Sequence, residues 1–185
     1  MADPRSPLPV LGFVANSGTG KTTLLAQLIP ALRDLGIRVG LIKHAHHGFD
    51  PDVPGKDSYR LRKAGAIQTL VASPRRQALI TELAEEHEPG LPELLAQLEP
   101  QRLDLVLVEG FRGEGIAKIE VYRPSLGQPP QFSAIPNVIA VASDGAVTGA
   151  GELAVLDLNH PAAVAAFIAD RLRAGALAAP DTAAN

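Results

Sequence analysis

With 185 residues, 46% of them hydrophobic and 20% charged, the chain has the make-up of one globular domain, not of a disordered or collagenous polymer. A formal net charge of -3 gives no electrostatic reason to expect nucleic acid as a partner, and no run approaches the ~20 consecutive apolar residues that span a bilayer. Cysteine is absent, which excludes disulfides, thiolate metal sites and cysteine nucleophiles; "MADPRSPLP", with an acid and early prolines, is unlike a secretory signal, so a soluble cytoplasmic protein is expected.

In chain order, "VLGFVA" (Val10 to Ala15) is a nearly unbroken apolar strand that runs into a glycine-rich turn. From Lys21 to about Leu35, the leucines at 24, 25, 28, 32 and 35 recur at helical spacing; Pro30 is expected to interrupt and kink that helix, and Gly36 to end it. Ile37 to His44 reads as a second strand, followed by a proline- and glycine-marked excursion and a short helix around Ser58 to Ala64. "AIQTLVAS" and "RQALIT", parted by Pro74, look like a hairpin insertion at about 66–81. "LPELLAQLEP" reads as a short amphipathic helix, Leu103 to Val108 as a buried strand, and "AKIEVY" as an alternating one. A proline-rich surface connector, two further strands at "VIAVAS" and "LAVLDL", and a closing helix with Pro161 at its start complete the pattern. One domain over 1–175 is expected, with 176–185 as a flexible tail. Short apolar runs alternating with helices predict an α/β fold: a three-layer, P-loop NTPase-like architecture with a mostly parallel sheet, helices on both faces and a small β insertion.

Four stretches carry chemistry. Ala15-Asn16-Ser17-Gly18-Thr19-Gly20-Lys21-Thr22 fits the phosphate-loop (Walker A) pattern with alanine in place of its first glycine. Gly18 and Gly20 let the backbone curl so that amides face a phosphate, and the following helix adds the positive end of its dipole. Lys21 then reaches the β- and γ-phosphates, and the Thr22 hydroxyl suits Mg²⁺. "LDLVLVEGF" ends an apolar strand in Glu109, a carboxylate delivered to the same sheet edge as the loop; Glu109 is the candidate for holding Mg²⁺ or facing water, and Gly110 for letting the chain pass close to phosphates.

The third stretch, Lys43 to Ala66, leaves three readings open. His44, His46 and His47 with Asp50 and Asp52 can ligate a metal; Lys43, the histidines and Lys56 can attract an anion; or the loop is simply solvated. In the fourth, "VIAVASDG", Asp144 is placed to accept the N1–H and N2–H donors of guanine, though an Asp-Gly turn explains it almost as well.

Taken together, "SGTGKTTLL", "GIRVGLIKHAHH", "PGKDSYRLRKAGA", "LVEGF", "AKIEVYR" and "VIAVASD" resemble the MobB family of molybdopterin-guanine dinucleotide biosynthesis adapter proteins, over most of Val10 to about Leu172. The resemblance implies a GTP-binding P-loop protein, a homodimer with slow GTP hydrolysis at most. It also implies a partner, a MobA-type guanylyltransferase that joins GMP to molybdopterin, with molybdopterin or its dinucleotide form as a further ligand. Carried over, Ser17 to Thr23 form the phosphate site, Glu109 is a magnesium- or water-facing residue, and Lys43 to Lys63 face ligand or partner; the leading expectation is that Asn16 to Thr23 hold the nucleotide, Lys21 and Glu109 are the charged working residues, and Thr22 with Glu109 holds the metal. No arginine finger or water-orienting residue is apparent, which agrees with slow turnover. Two alternatives share the loop: a small-molecule kinase using the histidines with Arg60 and Arg62 to grip an acceptor, and a metal-insertion GTPase using the histidines as ligands.

Overall fold

The computed structural model describes residues 8–45, 48–85 and 87–177. It divides the chain into two compact units, Met1–His44 with Gly90–Asn185, and Ala45–Pro89. The expected flexible tail falls almost wholly outside the described residues, as do His46 and His47.

In the larger unit the strands are β1 (Val10–Ala15), β2 (Val39–Lys43), β5 (Leu105–Glu109), β6 (Ala117–Tyr122), β7 (Val138–Ser143) and β8 (Ala154–Asp157). They form one sheet in the order β2-β5-β1-β6-β7-β8, and every neighbouring pair is parallel. The apolar runs read as strands are therefore buried because both faces are covered, as parallel pairing with its crossover connections requires. On one face Leu11, Phe13, Leu107, Ile119 and Ala140 pack with Leu24, Leu28 and Leu32 of α1 (Lys21–Asp34) and Val164 and Ile168 of α4 (Pro161–Arg173). On the other, Val10, Val106, Val108 and Ile42 pack against Leu91 of α3 (Leu91–Leu95).

Pro30 does not interrupt α1, which runs as one element to Asp34. Proline removes a single N–H and crowds one carbonyl; the four buried leucines, each contributing roughly 1.5–3 kcal/mol of burial, outweigh that. The helix expected over "LPELLAQLEP" stops at Leu95, and a 3₁₀ turn follows at Pro100–Arg102.

Past β1, the second face changes character. β6 presents Lys118 and Glu120 there, both fully buried, where the alternating pattern would place solvated polar groups. Irregular chain brings unpaired backbone groups into contact with the sheet, and those groups need partners. The Lys118 ammonium donates to the carbonyls of Ile116 and Pro136, each at 3.0 Å, and of Glu114. Glu120 accepts from the Gln131 amide at 2.7 Å. The connector is thus held to the sheet by two buried charges.

The smaller unit holds α2 (Asp57–Lys63) and the antiparallel pair β3 (Gln68–Ser73) and β4 (Arg76–Thr81), which form a sheet of their own.

Candidate functional site

The turn after β1 leaves the sheet beside β5 and β6, whose registers with β1 pair Phe13 with Glu109 and Ala15 with Val121. Gly18 (φ 79°) and Gly20 (φ 90°) both adopt left-handed backbone, the conformation for which glycine is the low-cost residue. Thr19 between them is buried, and its hydroxyl donates to the Asn16 carbonyl at 2.9 Å, closing the loop on itself. Gly20 precedes α1 without any side-chain cap, so the first-turn amides of a 14-residue helix are left to a ligand or water. Lys21 opens the helix; Thr22 and Thr23 stand exposed in its first turn, and Ser17 is exposed in the loop.

Glu109 ends β5 with its carboxylate mostly shielded, 3.5 Å from the Lys21 ammonium and 3.9 Å from that of Lys43. Lys21 and Glu109, 88 positions apart by their numbers, are therefore brought together by the pairing of β1 with β5. The His44 amide extends the β2–β5 ladder by donating to the Glu109 carbonyl at 3.0 Å, and its ring packs on Phe111 with centroids 5.0 Å apart. Gly110 has φ 109°, and a Cβ there would lie 2.9 Å from His44 Cβ. The close neighbour of a Cβ at 110 is thus a histidine side chain.

Two arginines without an assigned role in the sequence touch the loop. Arg112 donates to the carbonyl of Ala15 and, at 2.6 Å, to Gln131 Oε1. Arg123 Nε donates to the Thr19 carbonyl at 2.7 Å, and its Nη1 donates to Asp144. Asp144, considered above for the base, therefore stands at the loop's edge paired with a cation. The stretches "FRGEGIAKIEVYRP" and "VIAVASDG" held both arginines and Asp144, but chain separations of 97 and 104 between the arginines and the loop residues hide the contacts.

In the smaller unit, Arg62 is buried and caged by acids. Its Nη2 donates to both Asp50 oxygens at 2.5 and 2.6 Å, and its Nη1 to Glu82 at 2.5 Å, while Asp52 lies 3.9 Å from Nε. The Arg62 cation holds the Asp50 carboxyl below the usual carboxylate range. Arg62 is consequently unavailable to grip a kinase acceptor; Asp50 is bound to Arg62, and Asp52 Oδ1 accepts from the Val53 amide and the Ser58 hydroxyl. Among the described residues, no group of three or more His, Asp or Glu side chains is arranged to hold a metal ion. Nor is any described helix long and apolar enough to cross a membrane.

A family model, MobB, described as "Molybdopterin guanine dinucleotide synthesis protein B", matches residues 10–144. The chain is 52% identical over 167 residues to the molybdopterin-guanine dinucleotide biosynthesis adapter protein of Escherichia coli (strain K12), covering 90% of this chain and 94% of that protein. It is 40% identical over 162 residues to the protein of the same description from Haemophilus influenzae, with 87% and 88% covered. A crystal structure described as molybdopterin-guanine biosynthesis protein B superposes with a TM-score of 0.70 at 29% identity, covering 89% of this chain and 99% of that one.

Proposed function

The chain belongs to the MobB family of molybdopterin guanine dinucleotide synthesis proteins, and from that premise we propose that it is an adapter in molybdenum cofactor biosynthesis that holds GTP for a guanylyltransferase. The observation that carries this reading is the loop itself: left-handed Gly18 and Gly20 opening onto an uncapped helix N-terminus, with Lys21 beside Glu109. Backbone amides and a lysine suit phosphate oxygens. Asn16 to Thr23 form the phosphate cradle, and Lys21 sets its charge on the terminal phosphates. The preference for guanine rests on family membership, since Asp144 is engaged by Arg123.

Mg²⁺ fits the donor set, because the Glu109 carboxylate and the Thr22 hydroxyl are the hard oxygen ligands that ion takes alongside phosphates. When bound, it neutralises phosphate charge. Lys21 and Lys43 draw the Glu109 carboxylate toward the loop by their charge, and Lys21 exchanges this carboxylate for phosphate when nucleotide arrives. Both loop arginines bond to backbone carbonyls, which leaves slow hydrolysis at most. The partner is a MobA-type enzyme, in whose company molybdopterin or its dinucleotide is a further ligand. A cytoplasmic location follows from the use of GTP. A homodimer pairing through the hairpin fits the apolar side chains exposed there, Leu70 and Leu79 among them.

Calorimetry with Mg·GTP and Mg·ATP tests the nucleotide reading: GTP should bind preferentially and Lys21→Ala should abolish binding, whereas equal binding of both, or of neither, overturns it. Conversion of molybdopterin to its dinucleotide by the guanylyltransferase, with wild-type or Lys21→Ala adapter added, tests the role. Sedimentation tests the dimer, which a monomeric mass refutes.

A further inference from the structure

We propose that Arg112 and Arg123 are positioning residues that hold the two ends of the phosphate loop, and that Asp144 serves the loop through Arg123 and does not read the base. The proposal rests on the loop's being a nucleotide site. A loop that offers its amides to an anion leaves its carbonyls in need of donors from elsewhere. Those donors come from outside the loop and from opposite ends of it: Arg112 on Ala15, where β1 ends, and Arg123 on Thr19, just before α1. The guanidinium is suited to this, because its rigid fork of five donors can bind a carbonyl with one arm and a fixed acceptor with another.

Each second arm is anchored. Arg112 Nη1 meets Gln131 Oε1 at 2.6 Å, and the Gln131 amide is fixed by buried Glu120. Arg123 Nη1 meets Asp144, and both side chains of that pair are largely shielded, at 30% and 22% exposure, where an ion pair is less screened than on an open surface. The Arg123 guanidinium also packs against the loop, with Nη2 3.4 Å from where a Cβ on residue 20 would sit. A Cβ there would meet the arginine at ordinary van der Waals distance, so it is the left-handed backbone that asks for glycine at 20. Arg112, whose second partner is the neutral Gln131, adds positive charge at the loop's edge, whereas the Arg123–Asp144 pair adds position and little net charge.

The test uses the full chain. In nucleotide-free protein, hydrogen exchange of a peptide spanning residues 16–23 should accelerate in Arg112→Ala and in Arg123→Ala, while peptides from β6 and β7 keep their protection. Both variants should weaken Mg·GTP, Mg·GDP and Mg·ATP by a common factor of about tenfold, the worth of one charge-assisted hydrogen bond. Arg123→Lys, which keeps the charge but not the fork, should recover only part of the loss and guards against a fold defect in the alanine variant. Asp144→Ala should match Arg123→Ala, and the double variant should be no worse than either, because both remove one linked contact. Unchanged exchange in the 16–23 peptide overturns the proposal. So does an Asp144→Ala that lowers GTP affinity selectively against ATP while Arg123→Ala leaves both intact, the behaviour of a base-reading carboxylate. If wild-type protein binds no nucleotide, the functional reading fails, and the exchange measurement still decides whether the arginines hold the loop.

Discussion

Glu120 is a carboxylate that the fold has shut away from water to secure the connector. Burial pushes its pKa above the ordinary 4.5, while the Gln131 amide and the charge of Arg112 pull the other way. One oxygen accepts from Gln131 and the other has no hydrogen-bond partner. In the pH window just above 4.5, the native state therefore binds more protons than the unfolded chain, and stability falls as pH rises through it. Denaturant midpoints measured across that window should decline with pH, and Glu120→Gln, which removes the charge but keeps the acceptor, should flatten this component. Gly110 gives a second expectation at this scale. Gly110→Ala combines left-handed backbone with a Cβ 2.9 Å from His44 Cβ, so it should cost about 1–3 kcal/mol in urea denaturation. The need for glycine at 110 was legible in "VEGF", but its cause was not, because only the β2–β5 pairing brings His44 against it.

Among the elements, those with one repeating environment were the legible ones: β1, β5 and β7 are apolar up to their last residue, Glu109 ending β5 and Ser143 ending β7, because each is covered on both sides, and α1 shows its leucines at helical spacing. β6 was legible as a strand but not as a buried one. Alternation distinguishes two faces without saying what covers the second, and here the cover is irregular chain that needs Lys118 and Glu120 beneath it. The same limit hid the arginine contacts on the phosphate loop, which are made by the ends of elements distant in sequence. Pro30 shows the opposite error, a local rule overridden by packing: the helix persists with a proline on its exposed side. Pro30→Ala restores an N–H and relieves crowding at a carbonyl one turn back, partly offset by a more flexible unfolded chain. It should stabilise the protein by about 1–3 kcal/mol in chemical denaturation.

At the scale of the whole chain, each of the two units has its own source of internal cohesion. The larger has two apolar clusters with leucines, valines and isoleucines fully removed from water. Among the described residues of Ala45–Pro89, the one fully buried side chain is that of Arg62. A two-stranded hairpin is marginal by itself, so the acidic cage around Arg62 is its principal tie to the preceding chain through Asp50. Asp50 has a depressed pKa, with hydrogen bonding to Arg62 as the main cause. Its contribution is therefore fully present above 3.8 and is lost as pH falls through its lower folded value. Asp104 behaves likewise beside Arg38 in the larger unit, but it sits on a sheet whose cohesion is apolar and does not titrate. Acid should accordingly loosen the smaller unit while the larger stays folded. Brief pepsin digestion at about pH 3, below the ordinary aspartate range, should cut first between residues 45 and 89 and leave the rest of the sheet protected. Asp50→Asn, which weakens the same contact at neutral pH, should then make that segment the first target of thermolysin at pH ~7. First cuts in β5 or β6 instead would mean that Arg62 and its acids are not what holds the smaller unit together.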